Sequence, residues 1–238
     1  MSDAIGHRTS EAVSQKALLA CCNGSYDPCT LSSSYGFVCG TAQTPVLRAS
    51  GPCPGHPNHM SALHLELVSI NATVKFFHYI CYKFVIEDGS ITLYNDCKKA
   101  QKLINFPGRK FRRFLIDDYD LIAEIHHCTK ELQTKVSFQL LWVKGHYTGT
   151  KREIQHDLNR EAHSQACAAL STSTTLDVSP PSSLVELSCG FSITSRWQAT
   201  IKQLAHSEML CSTIFRKTNW SLYTFNKVDW SALGNCMY

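Results

Sequence analysis

The stretch SALHLELVSINATVKFFHYIC, residues 61–81, decides the fold of this chain. Its apolar residues recur at steps of four and three, and they are Leu63, Leu67, Ile70, Val74, Phe77 and Cys81. This spacing places them on one stripe of an amphipathic helix, for which Ser61 is a suitable N-cap. The helix must therefore pack its apolar face on elements formed by the rest of the chain.

Three short apolar runs come before this helix. They cover residues 17–22, 35–40 and 45–48, and Gly, Ser, Asp and Pro separate them. Short apolar runs separated by such turn-forming residues are typical of a three-stranded antiparallel meander. A Pro, Gly and His loop over residues 51–59 then leads into the helix.

Further strands and helices follow the helix. Residues 90–94 are rich in β-formers, and residues 98–103 can form a short helix. A second periodic stretch predicts another helix, and four residues share one of its faces: Leu121, Ile125, Cys128 and Leu132. Residues 136–143 are typical of a buried strand, and residues 157–170 of a final helix with Asp157 as N-cap. The order of elements predicts a mixed α/β domain with a central sheet.

The composition divides the chain into four parts. Residues 1–16 form a polar N-terminal extension, and residues 17–170 form the α/β domain. Residues 171–183, STSTTLDVSPPSS, have the composition of a linker. Residues 184–238 are a small tail with three tryptophans, which we expect to be ordered and mostly helical. The tail is too short to bury much apolar surface by itself, so we expect it to dock on the main domain or on a partner.

Composition and cysteine usage limit the class of protein. A chain of 238 residues with 44% hydrophobic and 18% charged residues has the balance of a soluble globular protein. The net charge of +4 permits nucleic-acid binding without requiring it. The twelve cysteines form no C-x-x-C pair and follow no secretory segment, which indicates reduced thiols in the cytoplasm or nucleus. No apolar run is long enough to span a membrane.

Five pieces of sequence, in a fixed order, carry a resemblance to a known family. They are NGSYD at 23–27, SALHLEL at 61–67, YNDCKKA at 94–100, WVKGH at 142–146 and LNREAHSQA at 158–166. With these pieces, residues 18–169 resemble the ribonuclease H domain found near the end of the reverse-transcriptase polyproteins of retrotransposons. The resemblance implies a ribonuclease H-like mixed five-stranded sheet flanked by helices.

The resemblance also implies a particular chemistry. In that family four carboxylates hold two divalent metal ions that cleave the RNA strand of an RNA/DNA hybrid. Glu66 and Asp96 match two of these acids. The other two positions, where the family usually has Asp, are occupied by Asn23 in an Asn-Gly-Ser turn and by His163. An amide is uncharged, and imidazole suits Zn²⁺ or Mn²⁺ better than Mg²⁺, so we expect weak binding of Mg²⁺ or Mn²⁺.

Other residues matter for this expected site. His146 matches the mobile histidine that the family uses for proton transfer or product release, although a solvent-exposed loop histidine is the alternative. Asp27 and Asp157 are the acids nearest in sequence to the altered positions, but neither is well placed to replace them. The His and Cys groups at residues 56–59 and 126–128 lack a second ligand pair at zinc-site spacing.

A basic segment follows Asp96. Between residues 98 and 113 the chain contains no acid, and its basic residues are Lys98, Lys99, Lys102, Arg109, Lys110, Arg112 and Arg113. Phe106 and Phe111 interrupt the segment, and Phe114 follows it. Such a segment can follow a phosphate backbone and make binding dependent on salt, whereas the alternative is a solvated loop.

Three functions are compatible with these observations. The first is an RNA/DNA-hybrid endonuclease that works with a damaged site or with Mn²⁺. The second is a nucleic-acid-binding module that keeps the basic surface without catalysis, and the third is a decayed fragment of a mobile element. In each case the expected partner is nucleic acid, with no small-molecule cofactor and no membrane, and the oligomeric state stays open.

Overall fold

A computed structural model describes residues 7, 9–11, 13, 18–41, 45–54, 60–105, 118–149 and 153–170. All of them lie in the first of the two units into which the chain divides, Met1–Ser195. The predicted linker at 171–183 and the predicted tail at 184–238 lie outside the described residues, and both stay predictions.

The elements appear in the predicted order. The strands are β1 (Leu18–Asp27), β2 (Ser32–Gly40), β3 (Pro45–Pro52), β4 (Ser90–Asn95) and β5 (Ser137–Trp142). The helices that follow the meander are α1 (Ala62–Lys83), α2 (Lys98–Asn105), α3 (Tyr119–Gln133) and α4 (Ile154–Leu170). None of the helices in the described part of the chain is both long enough and apolar enough to span a membrane.

The five strands form one mixed sheet in the order β3-β2-β1-β4-β5. β1 pairs antiparallel with β2, and β2 pairs antiparallel with β3, which confirms the predicted meander. β4 lies parallel to both β1 and β5. β4 ends at Asn95, one residue after Tyr94 pairs with Cys21, so the residue that follows β4 comes level with the middle of β1. The prediction of a mixed five-stranded sheet flanked by helices is confirmed.

Side chains of β1 point alternately to the two faces of the sheet, and each face has its own core. Ala20 and Cys22 lie in the larger core, which also contains the apolar stripe of α1. Cys21 lies in the smaller core with Leu158 and Ala162 of α4. This alternation is the two-residue period of a strand, and it places every second side chain of β1 against α4.

Two glycines allow helices to lie directly on the strands. A Cβ atom on Gly24 of β1 would come within 2.5 Å of the Leu65 Cβ on α1. A Cβ atom on Gly36 of β2 would come within 2.5 Å of the Ala166 backbone nitrogen on α4. Such contacts are impossible for any other residue without a shift of the helix, so these positions set how closely α1 and α4 approach the sheet.

Two sequence predictions about turns and caps are wrong in detail. Asp157 is not the N-cap of the last helix, because α4 begins at Ile154 and places Asp157 in its first turn. Asn23-Gly24-Ser25 is not a turn, because all three residues lie inside β1 and pair with residues 34–36 of β2. The turn comes later, where the Asp27 carboxylate accepts hydrogen bonds from the Cys29 amide and the Thr30 hydroxyl. By contrast, Ser61 caps α1 as predicted, and it accepts a hydrogen bond from the His64 amide at 3.1 Å.

A buried ion pair joins α1 to the start of α3. His64 and Asp118 are both almost fully buried, and the His64 Nδ1 lies 2.7 Å from the Asp118 Oδ1. The other ring nitrogen of His64 lies 2.8 Å from the carbonyl oxygen of Pro54. Because a carbonyl and a carboxylate both accept hydrogen bonds, this geometry fits an imidazolium that donates from both nitrogens. Asp118 also has a φ of 64°, a left-handed conformation that Asp and Asn tolerate better than most residues.

We expect Asp118→Asn to destabilise the domain by about 3–5 kcal/mol, because it leaves a buried imidazolium without its counter-charge. Asn keeps the shape of the side chain and tolerates the same backbone conformation. Chemical denaturation at neutral pH measures the loss. The matched control is Glu131→Gln, which removes a carboxylate from the exposed contacts with His78 and His127. Equal losses in the two variants would contradict a special role for the buried pair.

Candidate functional site

The four positions that the resemblance selects come together at one place in the fold. Asn23 lies in β1, Glu66 in the second turn of α1, Asp96 directly after β4, and His163 in α4. Asn23 lies 3.3 Å from Asp96 and 3.3 Å from His163, measured between side-chain polar atoms. Glu66 joins the group through the neighbour of Asn23, because the Gly24 amide donates to the Glu66 Oε1 at 3.3 Å.

Asn23 connects an acid to a histidine by using both ends of its amide. Its Nδ2 donates a hydrogen bond to the Asp96 Oδ2, so its Oδ1 faces the His163 Nδ1 and must accept from it. His163 therefore carries a proton on Nδ1, and its Nε2 faces the Cys167 thiol at 3.5 Å. The thiol in turn lies 3.5 Å from the Ser25 hydroxyl. A continuous chain of hydrogen bonds thus runs from Asp96 to Ser25.

Glu66 is held by two donors and carries a shifted pKa. The Asn95 Nδ2 donates to the Glu66 Oε2 at 2.7 Å, in addition to the bond from the Gly24 amide. Burial and, second, the negative charge of Asp96 raise the pKa of Glu66 from 4.5 to about 8. The two hydrogen bonds oppose this rise without cancelling it. Near neutral pH the pair of acids therefore carries less than its full formal charge.

Asp96 is fixed by contacts from three other elements. Its Oδ2 accepts hydrogen bonds from the Asn23 and Asn159 amides, each at 3.3 Å. Its backbone carbonyl accepts from the indole nitrogen of Trp142 at 2.9 Å. The Lys98 ammonium group lies 4.1 Å from the centroid of the Trp142 ring, close enough for a cation–π contact. The position of Asp96 therefore depends on β1, β5 and α4 together.

His146 lies in the loop after β5, beside the other site residues. Its ring centroid is 5.7 Å from that of His163, and the two rings meet edge to face. His146 is exposed and has a φ of 48°, so its loop is held in a conformation that few residues adopt. The structure thus brings His146 next to the predicted site, while its role in proton transfer stays a prediction.

These residues do not fit a pair of magnesium ions as they stand. Both carboxylate oxygens of Glu66 and the Oδ2 of Asp96 accept hydrogen bonds from amide N–H groups, which occupy lone pairs that a metal ion would use. Within the described ranges, no group of three or more His, Cys, Asp or Glu side chains could hold a metal ion. The two alternative acids have other partners, because Asp27 accepts hydrogen bonds within its own turn and Asp157 pairs with Arg160 at 2.9 Å.

A cavity of about 210 Å³ opens beside Asn23. Its lining residues are Asn23, Asp96, Lys144, His146, Tyr147, Thr148, His156, Asn159, Arg160 and His163. Sequence reasoning missed most of these residues as members of the site. Lys144 lies inside WVKGH, and His156, Arg160 and His163 share one face of α4 because they follow helical spacing, so both signals were present in the sequence.

The predicted basic segment is described only in part. Lys98, Lys99 and Lys102 lie on α2 and are exposed. Arg109, Lys110, Arg112 and Arg113 lie outside the described residues. Because α2 begins two residues after Asp96, the three lysines are placed close to the site along the chain.

Comparison with known proteins finds solved structures that match this chain at low sequence identity and with TM-scores below 0.5. No protein-family model matches the chain, and no curated protein matches it in sequence. Ribonuclease H1 from the halophilic archaeon Halobacterium salinarum has 14% identity and a TM-score of 0.45, over 66% of this chain and 98% of its own. The N-terminal ribonuclease H domain of Rv2228c from Mycobacterium tuberculosis has 14% identity and a TM-score of 0.44. The match covers 65% of this chain and 94% of the other.

A third solved structure is LC11 ribonuclease H1, isolated from compost by a metagenomic approach. It has 10% identity and a TM-score of 0.47, over 66% of this chain and 97% of its own. At such identities the side chains of the site cannot be carried over from these proteins, so its chemistry must be taken from the residues of this chain.

The raised pKa of Glu66 predicts how stability depends on pH. The folded state holds the Glu66 proton up to about pH 8, whereas the unfolded chain releases it near pH 4.5. Because the folded state binds more protons between these values, the free energy of unfolding falls as pH rises through this window. We expect Glu66→Gln, which cannot ionise, to have a flatter profile than the natural protein over this range.

Chemical denaturation at a series of pH values measures both profiles. The comparison of slopes isolates Glu66, because the His64–Asp118 pair is present in both proteins. Parallel profiles would contradict a protonated Glu66 in the folded state at neutral pH.

Proposed function

We propose that this protein is a ribonuclease H-like nucleic-acid-binding protein whose hydrolysis of the RNA strand of RNA/DNA hybrids is weak or lost. One observation carries the proposal. The four positions of the resemblance converge, but Asn23 and His163 form hydrogen bonds with each other, and Asn23 also bonds Asp96. The site is thus satisfied by its own side chains, where the ancestral chemistry needs carboxylates that are free to bind metal.

The expected size of the loss supports this proposal. Removal of a side chain that merely orients a metal ligand typically costs about 10–100-fold in affinity or activity. Loss of two ligands is a larger change, for which we expect a rate lower by ~10³ or more, equivalent to ~4 kcal/mol of barrier. The two remaining acids, Glu66 and Asp96, together with His146, would carry any residual catalysis.

Nucleic-acid binding is proposed on separate grounds. Lys98, Lys99 and Lys102 are exposed on α2, and Trp142 is 37% exposed beneath the Lys98 ammonium group. Lysines can contact phosphates, and an exposed aromatic ring can stack on a base or sugar.

We also propose an origin in a retrotransposon, from the resemblance of residues 18–169. A decayed mobile element would have the same altered site.

Cleavage of a labelled RNA/DNA hybrid tests the catalytic part of the proposal. We expect no or very slow cleavage by the natural protein in Mg²⁺ or Mn²⁺, because two of the four metal ligands lack a charge. We expect the double variant Asn23→Asp, His163→Asp to cleave at least ~10³-fold faster, since it restores four carboxylates.

The control for this experiment is Glu66→Ala in each background, which removes one acid and should abolish any cleavage that depends on the site. Rapid cleavage by the natural protein that disappears in the Glu66→Ala variant would overturn the claim of weak or lost activity.

The salt dependence of hybrid binding tests the binding part. We expect the natural protein to bind a labelled hybrid with an affinity that falls as salt rises. The triple variant Lys98→Gln, Lys99→Gln, Lys102→Gln should reduce the slope of log K against log salt by about three, roughly one for each lysine that neutralises a phosphate.

Fluorescence anisotropy at several salt concentrations gives these slopes. The matched control is Lys130→Gln, Lys135→Gln, which removes positive charge at the end of α3 and beyond it. If the triple variant kept the natural slope, α2 would not contact the phosphate backbone.

A further inference from the structure

We propose that the cavity beside Asn23 binds a phosphate group directly, without a metal ion. The inference goes beyond the proposed function, because it concerns a small anion in this cavity and not the contact of α2 with a long nucleic acid. It depends on the charges and donors that line the cavity, which come from β1, the loop after β5, and α4.

The balance of charge around the cavity favours an anion. Lys144 and Arg160 are both cationic, and Asp96 is the single carboxylate among the lining residues. The Asp96 Oδ2 already accepts two amide hydrogen bonds, from Asn23 and Asn159, which offset part of its negative potential. The lining residues themselves therefore carry a net positive charge even when their histidines are neutral, although Arg160 is paired with Asp157, which lies outside the lining.

Arg160 can turn from its present partner to a phosphate. It pairs with Asp157 at 2.9 Å, three residues earlier on α4, and the side chains of Arg160 and Asp157 are 62% and 45% exposed. Exposed pairs of this kind contribute little to stability, so they compete weakly with a doubly charged ligand. The planar guanidinium group also matches two phosphate oxygens at once.

Neutral donors complete the lining. The Glu153 amide donates to the His156 Nδ1 at 3.3 Å, so the neutral ring carries its proton on Nε2 and can donate from there. The Tyr147 ring stacks on His156 with centroids 4.0 Å apart, which holds the imidazole in place. Tyr147 and Thr148 each add a hydroxyl group. His156 and Arg160 lie one helical turn apart on α4, so both face the same cavity.

The two altered positions are what make this cavity suitable for an anion. Asn23 and His163 both line it, and a carboxylate at either position would add a negative charge directly facing a phosphate. The same two residues that weaken the case for magnesium thus strengthen the case for phosphate.

Isothermal titration calorimetry of the full chain with inorganic phosphate tests the proposal. The buffer contains EDTA, to exclude metal-mediated binding, at constant pH and ionic strength. We expect saturable binding, which Lys144→Gln and Arg160→Gln each weaken by about tenfold or more. His163→Asp should weaken it as well, because it adds a negative charge to the lining.

The matched control is Lys130→Gln, an exposed lysine on α3 outside the cavity, which should bind phosphate as the natural protein does. Unfolding midpoints confirm that each variant is folded. The absence of saturable binding, or equal affinities in the Lys144→Gln, Arg160→Gln and Lys130→Gln variants, would overturn the proposal. Salt-dependent hybrid binding through α2 would be unaffected by that result, so failure here is distinguishable from failure of the proposed function.

Two further ligands identify the source of the phosphate. Thymidine 5′-monophosphate carries a terminal phosphomonoester, whereas thymidylyl-3′,5′-thymidine carries only an internal phosphodiester. Binding of the monophosphate alone would assign the cavity to a nucleotide or a strand end. Equal binding of both would assign it to the nucleic-acid backbone, and either result supports a phosphate site.

Discussion

The structure depends on the direct contact of two helices with the backbone of the sheet. Gly24 and Gly36 lack the side chains that would push α1 and α4 away, and they lie on neighbouring strands. Gly36 is the cross-strand partner of Asn23, so the helix that packs on Gly36 brings His163 beside Asn23. Gly24 does the same for α1, whose Glu66 accepts a hydrogen bond from the Gly24 amide. The packing of α1 and α4 on these two glycines therefore brings the site residues together.

Within that packing, Asn23 and His163 give the site a different electrostatic character from a set of four acids. Four close carboxylates require bound cations, because their mutual repulsion at short range is large. In this chain an amide donates to Asp96 on one side and accepts from His163 on the other, which removes that requirement. The raised pKa of Glu66 reduces the negative charge further. Lys144 and Arg160 supply the positively charged side chains of the cavity lining.

Periodicity predicted the fold well because it reports burial directly. The stripe from Leu67 to Cys81 is buried as expected, and the order of strands and helices is confirmed. Short motifs for turns and helix caps predicted the local structure less well than periodicity did. Asn23-Gly24 is typical of a hairpin turn, but pairing with β2 keeps it in the strand. Asp157 is a good capping residue, but α4 starts three residues earlier.

The details of the site depend on contacts between residues far apart in sequence, which no local pattern reveals. Asn23 and His163 are 140 positions apart, and the buried pair His64–Asp118 spans 54. The sequence therefore predicted which residues converge only through the resemblance. It could not predict the orientation of the Asn23 amide, the donors to Asp96, or the cationic lining of the cavity, because these follow from three-dimensional packing.

The hydrogen-bond chain through Asn23 also constrains how the sequence can evolve. A change of Asn23 alone to Asp would place two carboxylates about 3.3 Å apart and remove one of the two amide donors to the Asp96 Oδ2. A change of His163 alone to Asp would leave the Asn23 oxygen without its donor. Each single substitution therefore loses an interaction, and only both together would give a set of four acids. The effects of the two substitutions are therefore expected to be non-additive, because both residues belong to one hydrogen-bond chain.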